Sequence, residues 1–86
     1  MIINIGSGFY LEKDNICIIF DKNFLENSEN RKLVERFKLE NKIVETCDKD
    51  KIKTYLYYNK DGEDWIYTTS FISKTLYDRF NEDWRE

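Results

Sequence analysis

Lys53-Thr54-Tyr55-Leu56-Tyr57-Tyr58, then Asn59-Lys60-Asp61-Gly62-Glu63-Asp64, then Trp65-Ile66-Tyr67-Thr68-Thr69 is the stretch that decides the fold. Two strand-like runs flank a loop of turn formers, the pattern of a β-hairpin. Alternation puts Tyr55 and Tyr57 on one face of the first strand and Leu56 and Tyr58 on the other. With Trp65 and Tyr67 added, some rings are expected to lie outside a single core. Those surplus rings predict a subunit interface, with stacking on unpaired bases as the competing use.

Upstream, Ile16-Cys17-Ile18-Ile19-Phe20 is nearly unbroken apolar sequence rich in β-branched residues. It reads as a strand covered on both faces at the centre of the sheet. Ahead of it, Ile3 and Ile5 alternate with Ile2 and Asn4, Gly6-Ser7-Gly8 breaks the run, and Phe9 and Leu11 resume it, which predicts a short first hairpin. A helix follows the central run, capped by Asn27 or Ser28, with Leu33, Val34 and Phe37 on one face and an end near Asn41. The i,i+4 pairs Arg31–Glu35 and Arg36–Glu40 belong on its wet side. Ile43 to Thr46 is a short strand. Ser73 can cap a last helix in which Leu76, Phe80 and Trp84 form an apolar seam, to be packed on the chain's own sheet or on a neighbouring subunit. The expected architecture is α+β: one small domain over residues 1–86, of short antiparallel strands with two helices.

Composition narrows the chemistry. The 86 residues are 41% hydrophobic and 36% charged, with no proline and no histidine. A chain of this length buries roughly 60–70% of its unfolded surface, so association of identical copies would add useful burial. Without histidine, His-based triads and His-ligated zinc drop out, and two cysteines cannot complete a Cys-only tetrahedral site. No nucleophile or carboxylate pair is placed for catalysis, so the expectation is a non-enzyme without cofactor or metal. No apolar run approaches the ~20 residues of a membrane span, and the N-terminal sequence lacks a signal peptide's regions. A cytoplasmic protein without a membrane partner is expected, with Cys17 and Cys47 as free thiols serving as small core residues.

Charge is unevenly spread. The formal net is −3, yet Arg31 to Lys53 holds eight Lys or Arg against five Asp or Glu, a local surplus of +3. A polyanion would dock on that middle region. Within it, Lys49, Lys51 and Lys53 recur at every second residue, which in an extended segment places three ammonium groups on one edge, each able to neutralise a phosphate. Asp48 and Asp50 interleave with them and halve the local field. Copied around a symmetric assembly, a weak patch becomes a belt that duplex DNA can follow. Other motifs point to structure. Gly6-Ser7-Gly8 precedes a strand and not a helix, so it is a turn rather than a phosphate cradle. Asp48-Lys49-Asp50 lacks the glycine and the bidentate glutamate of an EF-hand loop, and Asp61, Glu63 and Asp64 suit a solvated hairpin tip better than a cation site.

Ile3-Asn4-Ile5-Gly6, Asn15-Ile16 leading to Ile18-Ile19-Phe20-Asp21, and Ile66-Tyr67 followed by Ser70, Ser73 to Leu76 and Arg79 resemble the small bacterial extracellular-matrix regulators RemA and RemB, the B type more closely. The resemblance runs from about Ile3 to Phe80. It implies a fold similar to the LytTR DNA-binding domain, ring-like homo-oligomers around which DNA wraps, and transcriptional regulation of biofilm-matrix genes in the cytosol. In the RemA branch, arginines after the first hairpin and before the central strand contact DNA. The matching stretches are Lys13 to Asn15 and Lys49 to Lys51, with Asn15 in place of the first arginine and a lysine–aspartate mix in place of two adjacent ones. Lysine keeps the charge but loses the planar fork.

The expectation is therefore a DNA-binding regulator acting as a homo-oligomeric ring. Lys49, Lys51 and Lys53 contact phosphates of double-stranded DNA, assisted by Lys13, Arg31 and Lys32. Tyr55, Tyr57, Trp65, Tyr67, Phe80 and Trp84 form the oligomer interface. The alternative is an assembly module of the same fold that has lost DNA binding; a ligand-binding regulator using the tyrosine-rich hairpin as its pocket is a further one.

Overall fold

A computed structural model describes residues 1–82 of the chain. In order, the elements are β1 (Ile2–Gly6), β2 (Phe9–Glu12), β3 (Ile16–Asp21), α1 (Ser28–Leu39), β4 (Ile43–Glu45), β5 (Thr54–Lys60), β6 (Glu63–Thr69) and α2 (Ser73–Glu82). Three 3₁₀ turns, Lys13–Asn15, Lys22–Glu26 and Lys49–Lys51, sit before or after strands. The class is α+β, with two helices and six short strands among the described residues, mostly antiparallel. No described helix is long and apolar enough to cross a membrane.

β1 and β2 form the first hairpin, and the other strands form a four-stranded sheet in the order β3-β5-β6-β4. The β5–β6 hairpin is its centre, paired in full register from Thr54↔Thr69 to Lys60↔Glu63. Asp61 and Gly62 close it with φ of +54° and +81°, the double left-handed geometry of a type I′ turn, which matches the twist of the flanking strands. The centre is thus not Ile16–Phe20. That run is an edge strand with β5 as its single sheet neighbour, because the chain leaves β3 through α1 and returns as β4, parallel to β6 on the far side.

The strands' alternation feeds two cores. Leu56 and Tyr58 point to one face, where the β1–β2 hairpin contributes Ile3, Ile5 and Leu11 and α2 contributes Leu76. Tyr55 and Ile66 point to the other, covered by Val34 and Phe37 of α1. The layers are hairpin with α2, sheet, then α1. The rings of β5 and β6 divide between both faces, and this is why the expected surplus of aromatics does not arise: there are two cores to fill.

Buried threonines join the layers. Thr54 Oγ1 donates to the Phe71 carbonyl at 2.7 Å, Thr69 Oγ1 to the Ile5 carbonyl, and Thr46 Oγ1 to the Thr68 carbonyl at 2.7 Å. Such bonds cancel the desolvation cost of a buried hydroxyl. Gly6, at φ +107°, allows the Phe71 ring to approach; a Cβ there would sit 3.3 Å from its Cε1. The Gly6-Ser7-Gly8 segment is indeed the turn of the first hairpin, with positive φ at all three residues.

Helix ends follow local chemistry. Asn27 Oδ1 accepts from the Glu29 and Asn30 amides, and α1 stops before Asn41, which takes φ +57°. Ser73 is the first residue of α2, and its hydroxyl lies 3.5 Å from that of Thr54 instead of capping the helix. Neither Arg31–Glu35 nor Arg36–Glu40 closes an ion pair among the described residues. Cys17 is exposed and Cys47 half-buried, both free thiols, so the core role expected for them is corrected. Cys17 leaves the core because a β-bulge lies there: Ile16 faces Tyr58 while Ile18 already faces Tyr57.

Candidate nucleic-acid interface

Lys49, Asp50 and Lys51 do not form an extended segment. They make a 3₁₀ turn, with the Lys51 amide donating to the Asp48 carbonyl at 2.9 Å and the Ile52 amide to Lys49 at 3.4 Å. At about three residues per turn, alternate residues point in different directions, so Lys49 and Lys51 fan out instead of sharing an edge. Lys53 follows the turn, its amide bonded to the Thr69 carbonyl at 2.9 Å and its carbonyl to the Lys22 amide at 3.0 Å. All three side chains are exposed.

The fold adds a cation that the sequence spacing did not single out. Lys38 of α1 meets Lys49 around a cleft of about 100 Å³ with Val34, Ile43, Ile52 and Tyr55 in its wall and Glu45 beside it. Lys38 lies one helical turn beyond the core residue Val34, an i,i+4 relation visible in the sequence once the partner of that helix face is known. Lys22 is brought to Lys53 by its backbone bond. Among the described residues, none of Lys22, Lys38, Lys49, Lys51 and Lys53 closes an ion pair, even with Glu45, Asp48 and Asp50 nearby.

Those carboxylates do shape the local field. The Cys47 thiol is pushed up first by its partial burial, then by Asp48 and Glu45, with Lys51 opposing and Asp50 adding to the rise. It therefore stays protonated at neutral pH. Tyr55 is likewise pushed up, by burial and then by Glu45 and Cys47.

The remaining predicted contacts are engaged elsewhere. Lys13 lies on the α2 side, where its Nζ donates to the Phe80 carbonyl at 2.8 Å and stands 5.3 Å from the centre of the Phe80 ring. Arg31 turns its guanidinium back onto the carbonyls of Leu25 and Glu26, at 2.7 and 3.1 Å, pinning the preceding 3₁₀ turn to α1. Lys32 is exposed and pairs loosely with Glu29 at 3.6 Å. The structure thus gathers Lys49, Lys51 and Lys53 with Lys38 and Lys22, and separates Lys13 from them.

The rings assigned to an interface are packed within the chain. Tyr55 is 8% exposed. Tyr57 meets Phe37 edge-on at 5.8 Å and Tyr67 meets Tyr58 at 5.3 Å. The Trp65 face carries Lys42 Nζ at 4.6 Å, and Phe80 packs against the hairpin-side core. Trp84 lies outside the described residues. The carboxylates at the hairpin tip are also occupied: Asp64 accepts from Tyr57 Oη at 2.8 Å and Asn59 Nδ2 at 2.6 Å, and Glu63 faces Lys42 at 3.6 Å.

No protein-family model matches the chain, and no curated protein matches it in sequence.

Proposed function

We propose that the chain is a cytoplasmic, non-enzymatic DNA-binding regulator that acts as a homo-oligomer and grips duplex phosphates with Lys49, Lys51 and Lys53, joined by Lys38 and Lys22. One observation carries this reading: Lys49 and Lys51 in one turn, Lys53 just after it, Lys22 bonded through its backbone to Lys53, and Lys38 sharing a cleft with Lys49 are all exposed and close no ion pair among the described residues, on a chain whose net charge is −3. An acidic protein that leaves cations unneutralised at one place has a surface on which a polyanion can release counterions. The resemblance to RemA and RemB supports the same function and adds regulation of biofilm-matrix genes, a LytTR-like fold and a ring. Specificity would then come from DNA deformability, since lysine contacts to phosphate carry no sequence information.

Titration of labelled duplex DNA at several salt concentrations tests the proposal. Lys51→Ala is expected to weaken binding to all sequences about equally and to shallow the salt slope by about one unit. Unchanged affinity and slope would remove the turn from the interface. The second reading, an assembly module without DNA binding, draws on Glu45, Asp48 and Asp50, whose field at Cys47 is opposed by Lys51 alone. An intact oligomer that binds no duplex at low salt would select it.

A further inference from the structure

The α1 face of the sheet is not uniformly apolar. One cross-strand row, Tyr57–Ile66–Ile43, packs with Val34 and Phe37 in the core on that face. The next row, Tyr55–Thr68–Glu45, runs beside it and carries a side-chain oxygen on each of three neighbouring strands. Side chains of directly paired residues point the same way, so these three line one floor. That floor belongs to the cleft of about 100 Å³ between α1 and the Lys49–Lys51 turn, walled by Val34, Ile43 and Ile52 and flanked by Lys38 and Lys49.

Polar groups on an inward face need partners, and here they keep unused capacity. Tyr55 is only 8% exposed, yet its hydroxyl makes no hydrogen bond among the described residues. Every fully buried side-chain oxygen or nitrogen among them is bonded, so this hydroxyl is one that opens to the cleft. Burial, then Glu45 and Cys47, push it above the usual 10, and it faces the cleft as a protonated donor. The buried Thr68 Oγ1 accepts from the Thr46 amide at 3.4 Å and still has its own proton to give. Around these hydroxyls, Lys38 and Lys49 of one sign and Glu45 of the other share the cleft without pairing among the described residues.

This combination selects a ligand. Two ammonium groups and two hydroxyl donors suit a carboxylate. Glu45 opposes a plain anion and suits an ammonium, and the aliphatic wall suits a short apolar stem. A cavity of roughly 150 Å³ holds a benzene ring, so this smaller cleft takes a stem of a few carbons and has no room for a nucleoside. A DNA phosphate would use the lysines but neither Glu45 nor the buried hydroxyls.

We propose that the cleft binds a small aliphatic α-amino acid, its carboxylate held by Lys38 and Lys49 with the Tyr55 and Thr68 hydroxyls, its ammonium by Glu45, and its side chain by the aliphatic wall. The site does not depend on the DNA reading but shares Lys38 and Lys49 with it, so a bound amino acid and a phosphate exclude each other there.

Titration of the full chain with L-valine, followed by amide NMR, tests it, with isovalerate and L-valinamide as probes that each lack one charged group. L-Valine is expected to give saturable shifts at Lys38, Glu45, Ile52 and Thr68 in the millimolar range, and each analogue to bind about tenfold more weakly. Tyr55→Phe keeps the ring that packs against Phe24 at 5.1 Å and is expected to weaken L-valine about tenfold. Glu45→Gln is expected to weaken L-valine but strengthen isovalerate, a reversal that a merely structural Glu45 does not produce. No saturable shift at tens of millimolar L-valine would overturn the site. Equal binding of L-valine and isovalerate would overturn its assignment to an amino acid. L-Valine binding by a chain that binds no duplex would remove the DNA reading and leave the cleft assigned, whereas duplex binding without L-valine binding would do the reverse.

Discussion

Two 3₁₀ turns of nearly the same sequence, Lys13-Asp14-Asn15 and Lys49-Asp50-Lys51, lead into the neighbouring strands β3 and β5. Their backbones match, yet their first lysines have opposite fates. Lys13 is held by the carbonyl and ring of Phe80, whereas Lys49 stands open beside Lys38. Local sequence therefore determines the turn, and the element that packs over it determines whether its lysine is structural or available. The end of α2 covers the first turn; only the side of α1 approaches the second.

The largest test removes the seat of α2. Leu76 is fully buried at the meeting of α2, the first hairpin and the sheet, so Leu76→Ala is expected to cost about 2–5 kcal/mol in urea denaturation. The comparison should break with it: as α2 loosens, Lys13 loses its acceptor, and its acetylation rate by a small acylating reagent should rise toward that of Lys49. A Lys13 that stays protected would show that the hairpin, and not α2, holds it.

Changing the lysines themselves asks for less. Lys13→Ala removes a charge-assisted hydrogen bond in a partly buried setting and is expected to destabilise by about 1.5 kcal/mol. Lys49→Ala, on an exposed side chain, should stay within about 0.5 kcal/mol. Equal effects in chemical denaturation would abolish the distinction between the turns. The same pair sharpens the functional reading: Lys38→Ala should lower the salt slope of DNA binding by about 0.9, and Lys13→Ala should leave it unchanged.

The contrast also marks how far sequence carries. The β5–β6 hairpin, the first hairpin and the Asn27 cap were legible because each is set by neighbours in the chain: alternation, turn residues and a side chain reaching two amides ahead. The position of β3 was not. Its apolar run fits an interior strand, and only the crossover through α1 to the far side of β6 leaves it at the edge. The rings of β5 and β6 were identified, but their use depends on a second core, which exists because α1 covers one face while the hairpin and α2 cover the other. At the candidate interface, Lys49, Lys51 and Lys53 were found from spacing, though the extended conformation that motivated them is a 3₁₀ turn. Lys38 was missed because its link to Lys49 is tertiary.

The smallest effect is expected at the turn between β5 and β6, where the held charge is an anion. The Asp64 carboxyl lies below the usual carboxylate range because Asn59 and then Tyr57 donate hydrogen bonds to it, with Lys42 adding a little and slight desolvation opposing. A carboxylate with a lowered folded-state pKa favours the fold above its ordinary value near 3.8, and this contribution is lost as pH falls through the lower folded-state value. Its full exposure to solvent keeps the effect small. Tyr57 responds in the opposite sense: the bond to Asp64 and then burial push its hydroxyl above the usual 10, so its share is present below that value and is lost as pH rises through the higher folded-state one. Titration of the Asp64 carboxyl carbon by NMR separates the two donors. Asn59→Ala should return the carboxyl further toward its ordinary range than Tyr57→Phe does, because the amide is the larger cause. The reverse order would mean that the tyrosine on α1's side of the sheet, and not the neighbour within the hairpin, holds this charge, and the tip would then resemble Lys13, governed by what packs against it.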